Sequence, residues 1–131
     1  MIIYKHRCNT IKEIELAVAH GLGIEIDLRS SNGKVFLSHD PILHKFSYAS
    51  FEEAVRLIEH LQIPTILNFK ETGIVHLVAP YCKTTHLYYA SDLIFPDQLI
   101  CNRLGLRSLS RTSFYETIFK DHGFWLDYTF S

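Results

Sequence analysis

The stretch Gly23-Ile-Glu-Ile-Asp-Leu-Arg29, continued by Ser30-Ser-Asn-Gly-Lys-Val-Phe-Leu37 and Ser38-His-Asp-Pro41, decides how this chain is read. It predicts a strand, a tight turn and a returning strand. Residues two apart in a strand share a face, so Glu25 and Asp27 stand together on one side and Ile24, Ile26 and Leu28 on the other. Two acids on an otherwise apolar strand are costly unless something positive sits between them. A divalent cation is the simplest candidate. The plainer alternative is a solvent-facing strand with alternating acids.

Asn32-Gly33 between alternating runs is a strong hairpin signal. A two-residue loop there places His39 opposite Ile26, on the apolar face. A three-residue loop places it opposite Asp27, because a one-residue slip exchanges the faces. If His39 works with the carboxylates, the turn must carry an extra residue or a bulge.

Outward from this stretch, strands and helices alternate. Residues 2–6 read as a short strand, and Thr10-Ile-Lys-Glu13 has capping-box spacing for a helix that stops near Gly21. Residues 51–61 form an amphipathic helix capped by Ser50, and residues 64–70 a third strand. A helix over 73–81 is interrupted by Pro80. A fourth strand follows over 86–91, a helix over 96–104, a fifth strand over 107–111, a helix over 113–122 and a sixth strand from Gly123. Such alternation argues for parallel strands joined by crossover helices.

The 131 residues make one domain, large enough for a genuine core. A hydrophobic share of 47% with 21% charged residues is that of a soluble globular protein. A formal charge of -1 gives no electrostatic case for nucleic acid or an anionic membrane. No apolar run reaches spanning length and no leader precedes the first strand. Three scattered cysteines, Cys8, Cys82 and Cys101, suggest reduced thiols and a cytoplasmic protein.

The choice is then between a doubly wound open sheet and a (β/α) barrel, and the absence of both common nucleotide-binding glycine motifs removes the usual nucleotide-binding versions of the former. Every expected strand also delivers a polar residue at its C-terminal end, where barrel enzymes build their sites. These are His6-Arg7, Glu25 with Asp27, Asn68 with Lys70, Asp92, Arg111 and Asp127.

At these positions the chain resembles the glycerophosphodiester phosphodiesterase family, within the wider group of barrel phosphodiesterases related to phosphatidylinositol-specific phospholipase C. The resemblance rests on His6-Arg7, Asn9-Thr10, Glu25-Ile-Asp27 and Ser38-His39-Asp40-Pro41. It extends to Asn68-Phe-Lys70 and Trp125-Leu-Asp127. It implies His6 and His39 as the acid–base pair, and Glu25 and Asp27 as ligands of Ca²⁺ or Mg²⁺. Arg7 and Lys70 would contact phosphate. Such a site would cleave a glycerophosphodiester, or a related lipid head-group or glycan phosphodiester, by attack of a neighbouring substrate hydroxyl.

Two departures stand out. Asn68 occupies the place of a third acidic ligand, so it and Asp92 or Asp127 become the further metal donors. A shorter group of barrel phosphodiesterase-like proteins resembles this chain in its N-x-K and in a stretch like Phe95-Pro96-Asp97. The second departure is length, since a complete barrel takes about 250 residues. The expected fold is therefore an α/β, TIM-barrel-like architecture, open or incomplete, with about six parallel strands and a hairpin extension after the second. Its open edges invite self-association into a homo-oligomer. The alternative function is a non-catalytic remnant that keeps a phosphate-binding rim as a binding or assembly module.

Overall fold

A computed structural model describes residues 2–111 and 124–125. In chain order they form β1 (Tyr4–Lys5), α1 (Ile11–Ala19), β2 (Gly23–Ser31), β3 (Lys34–Leu37), α2 (Phe51–Leu61), β4 (Thr65–Phe69), α3 (Val75–Val78), β5 (Tyr88–Ser91), α4 (Phe95–Arg103) and β6 (Arg107–Ser108). The fold is α/β, with a six-stranded, mostly parallel sheet. The parallel strands run β1-β2-β4-β5-β6, and β3 pairs antiparallel to β2. Two further short strands, β7 (Ser110–Arg111) and β8 (Phe124–Trp125), pair in parallel as a separate sheet. The expected fifth strand is thus divided between β6 and β7. The helix expected over 113–122 and Asp127 lie outside the described residues.

Each parallel strand lies beside its predecessor, so the sheet advances in one direction. Right-handed crossovers then carry every connecting helix to the same face. Burial agrees. Ile24, Ile26 and Leu28 of β2, Leu67 and Phe69 of β4 and Tyr88 and Ala90 of β5 share one apolar core with Ile14 and Ala17 of α1, Ala54, Val55 and Ile58 of α2, Val75 and Val78 of α3 and Cys101 of α4. Ile66, from the other face of β4, is buried outside that cluster.

Local chemistry sets the helix ends. Thr10 caps α1, its Oγ1 accepting from the Glu13 amide at 3.1 Å and donating to the Glu13 carboxylate at 2.9 Å. Ser50 caps α2, its Oγ accepting from the Glu53 amide at 3.0 Å. The helix expected over 73–81 shrinks to one turn followed by a 3-10 turn, because Pro80 supplies no amide to continue the ladder.

The hairpin corrects the sequence reading. Asn32 and Gly33 adopt φ of 51° and 77°, a two-residue primed turn, and Ser31 pairs with Lys34. No extra residue is inserted. Pairing continues only to the Ser38 amide, which donates to the Asp27 carbonyl at 2.9 Å. His39 therefore begins the following loop rather than facing Asp27 from a strand. Asn and Gly adopt left-handed backbone so readily that the shorter loop costs little strain.

Gly23 shows why the strand must open on glycine. A Cβ there would lie 2.8 Å from the Tyr4 ring and 2.9 Å from the Pro64 carbonyl oxygen.

Candidate functional site at the strand ends

In parallel pairs, residues in register share a face. Asp27, Asn68 and Ser91 are register partners across β2, β4 and β5, and Glu25, Ile66 and Tyr89 form the row below. Both rows lie on the face away from the helices. Four of these polar residues are almost completely buried: Glu25 is 3% exposed, Asp27 0%, Asn68 3% and Ser91 1%. The solvent-facing alternative for the two acids is thereby excluded.

Asp27 is a hub. Its Oδ2 accepts from Asn9 Nδ2 at 2.9 Å and its Oδ1 from Asn68 Nδ2 at 3.1 Å. Lys70 Nζ stands 3.9 Å from Oδ1 and also pairs with Asp92 at 3.5 Å. Asn9 Oδ1 in turn accepts the Asp27 amide at 2.9 Å. Asn9 thus grips both backbone and carboxylate, tying the loop after β1 to β2. In the sequence Asn9 stands only beside Thr10, among the residues that carry the family resemblance. Its position one residue before the capping Thr10 was the available signal that its own side chain was left for another task.

Glu25 is paired differently. His6 Nδ1 lies 3.4 Å from its Oε1. Burial pushes the Glu25 carboxyl above its ordinary value; the His6 charge opposes that shift, the Asp27 charge reinforces it, and the Arg7 amide donates against it. Arg7 has φ of 53° and Asp92 of 60°. Both are non-glycine residues in the left-handed region at strand ends, where such backbone costs energy. The Arg7 side chain is exposed and makes no hydrogen bond or ion pair among the described residues.

His39 is held at the rim by its backbone. The Arg29 guanidinium donates to the His39 carbonyl through Nε at 3.0 Å and Nη2 at 2.9 Å, and Ser38 Oγ donates to the Asp40 carbonyl at 2.6 Å. The ring itself, 38% exposed, pairs through Nδ1 with the exposed Asp40 at 3.1 Å. Neither Glu25 nor Asp27 bonds to it among the described residues. The structure therefore brings together His6, Glu25, Asp27, Asn68, Lys70 and Asp92, with Arg7 adjoining through its amide, and leaves His39 beside them on the rim.

Loops behind the site are pinned by carboxylates. Glu71 accepts from the Ser30 amide at 2.9 Å and hydroxyl at 2.6 Å, joining the hairpin to the loop after β4. Asp97 accepts the Gly73 amide at 3.1 Å. Cys8, fully buried beside the site, has its thiol pushed up to about 11, chiefly by burial, so it is not a thiolate nucleophile near neutral pH. All three cysteines are unpaired and buried.

Among the described residues no three of His, Cys, Asp and Glu converge as a metal cage. Asn68 turns its amide nitrogen toward Asp27, and Asp92 is engaged with Lys70, so neither offers an oxygen to the two acids in this arrangement. What remains is Glu25 with Asp27, two buried hard-oxygen donors. That set does not suit a Ca²⁺ cage of six to eight oxygens. A Mg²⁺-type ion, which keeps several waters of its own, would ask fewer oxygens of the protein, and it would have to share Asp27 with the Asn9 and Asn68 amides that its two oxygens accept.

The fold and site define an α/β protein with an acid–histidine–lysine cluster at the C-terminal ends of parallel strands. No family model matches the chain, and neither do any of the curated proteins or solved structures with which it was compared. No helix among the described residues is long and apolar enough to cross a membrane.

Proposed function

We propose that the chain is a metal-assisted phosphodiesterase acting on a small glycerophosphodiester-like substrate at this cluster. One observation carries the reading. A buried Glu25–Asp27 pair at the strand ends has His6 3.4 Å from one acid and Lys70 3.9 Å from the other. That arrangement joins an anion-binding cation, an acid–base group and a hard-metal donor pair, the three requirements of phosphodiester cleavage. The sheet order, each parallel strand beside its predecessor, supports reading the fold as the opening part of a (β/α) barrel.

Glu25 and Asp27 would hold the cation, whose contribution when bound is to polarise phosphoryl oxygens. Lys70 and Arg7 bind the phosphate oxygens. His6 is oriented by Glu25 through Nδ1, so proton exchange with the attacking and leaving oxygens falls to Nε2. The second acid–base role, which the family resemblance gives His39, then requires its ring to leave Asp40 and turn from the rim toward the acid row, because the two-residue hairpin does not place it there; Arg29 fixes only its backbone. Asn9 keeps Asp27 in place without taking part in the chemistry. The reading also carries a cytoplasmic setting, from three buried thiols without a disulfide, and self-association through β1 and β6, the outer parallel strands among the described residues.

A second reading, a phosphate-binding module without catalysis, draws on the His39 ring being paired with Asp40 instead of the acid row. Steady-state hydrolysis of a chromogenic phosphodiester in Mg²⁺ separates the two. The catalytic reading expects turnover that drops at least about 100-fold in His39→Ala and in Glu25→Ala. Turnover surviving both substitutions removes it.

A further inference from the structure

Among the described residues, two buried oxygens at the site have no hydrogen-bond partner: Asn68 Oδ1 and Ser91 Oγ. They belong to register partners on neighbouring strands, one face and one level. Their residues are 3% and 1% exposed. A buried polar atom left unsatisfied costs about 1–3 kcal/mol, and two side by side at a site call for a ligand. Asn68 spends its amide nitrogen on Asp27 Oδ1, toward β2. Its oxygen is left on the side where Ser91 stands.

The charges nearby decide what kind of group belongs there. Lys70 follows Asn68 by two residues and bridges Asp27 and Asp92, so its ammonium lies over the same row. A second cation between Asn68 and Ser91 would meet that ammonium with no carboxylate of its own. An anion would meet the lone pairs of the Asn68 oxygen. A neutral hydroxyl satisfies both atoms, donating to Asn68 Oδ1 and accepting from Ser91 Oγ.

We propose that Asn68 and Ser91 form a hydroxyl-binding subsite that recognises an alcohol group of the substrate beside the phosphate held by Lys70. The proposal rests on the phosphodiesterase reading and deepens it, giving Asn68 and Ser91 a part in specificity. Lys70, one-fifth exposed and within 3.9 Å of Asp27, is the cation of this row that a phosphate can reach, so a phosphate paired with it places its ester alcohol toward Asn68 and Ser91.

Calorimetric titration in Mg²⁺ with glycerol 3-phosphate and with propyl phosphate, which lacks the hydroxyls, tests this. Wild type is expected to bind glycerol 3-phosphate about tenfold more tightly, the effect of one well-made hydrogen-bonded contact. In Ser91→Ala, checked for folding by its melt, the ratio falls to near one. Equal binding of the two phosphates by wild type overturns the subsite but leaves the phosphate reading standing. Failure to bind either overturns both.

Discussion

Replacing Asn9 by alanine tests how the acid row is held. The substitution removes the charge-assisted bond from Asn9 Nδ2 to Asp27 Oδ2 and the acceptor for the Asp27 amide, both 2.9 Å long. A hydrogen bond to a charged group is worth about 1.5–3 kcal/mol, and an unsatisfied buried amide costs about 1–3 kcal/mol. Asn9 is only half-buried, so water can enter and recover part of this, leaving a loss of about 3 kcal/mol. For a domain of this size that lowers Tm by roughly 10 °C. Thr10→Ala is the neighbouring control, since it removes an exposed cap worth about 1 kcal/mol. Urea denaturation measures both, and a double-mutant cycle with Asp27→Asn isolates the coupling. If Asn9→Ala costs no more than Thr10→Ala, or if Asn9 and Asp27 substitutions simply add, the clamp does not exist and the reasoning fails.

Gly23→Ala forces a methyl against the Tyr4 ring and the Pro64 carbonyl and should cost about 1–3 kcal/mol in the same assay. A neutral result would mean that β1 shifts freely against β2. For Glu25, burial makes the folded chain hold its proton to higher pH than the unfolded chain does. The folded state then binds more protons as pH rises from the ordinary glutamate value through the raised one, and stability falls across that window. Glu25→Gln should therefore raise Tm at pH 7 and leave it little changed below pH 4; a lowered Tm at pH 7 would contradict this. Mg²⁺ at about 100 times its Kd should stabilise wild type by about 2.7 kcal/mol in a thermal melt, and the gain should vanish in Asp27→Asn. A larger response to Ca²⁺ than to Mg²⁺, without phosphate, would contradict a two-carboxylate site.

Much of the frame is legible in the sequence because local chemistry and tertiary packing agree there. Thr10 and Ser50 cap the helices that their spacing predicts, and Asn32-Gly33 makes the turn that those two residues favour. The alternation in β2 correctly separates Ile24, Ile26 and Leu28 from Glu25 and Asp27. Other features depend on partners far along the chain, which no local pattern carries. Asn9 meets Asp27 and Ser91 meets Asn68 only once the parallel register is set. Nor does a sequence say which end of the Asn68 amide faces Asp27. The expectation for the hairpin failed for a different reason. It asked the turn to serve His39, whereas Asn32-Gly33 closes in two residues and Arg29 then fixes the His39 backbone after pairing has ended.

Phosphorus NMR of a glycerophosphodiester incubated with the protein and Mg²⁺ tests the central claim most directly. Wild type should convert the diester resonance into a cyclic phosphate and then a monoester. His6→Ala, losing the group that Glu25 orients, should slow that conversion about 100-fold or more. A diester resonance unchanged by wild type, or a conversion equally fast in His6→Ala, would contradict the account.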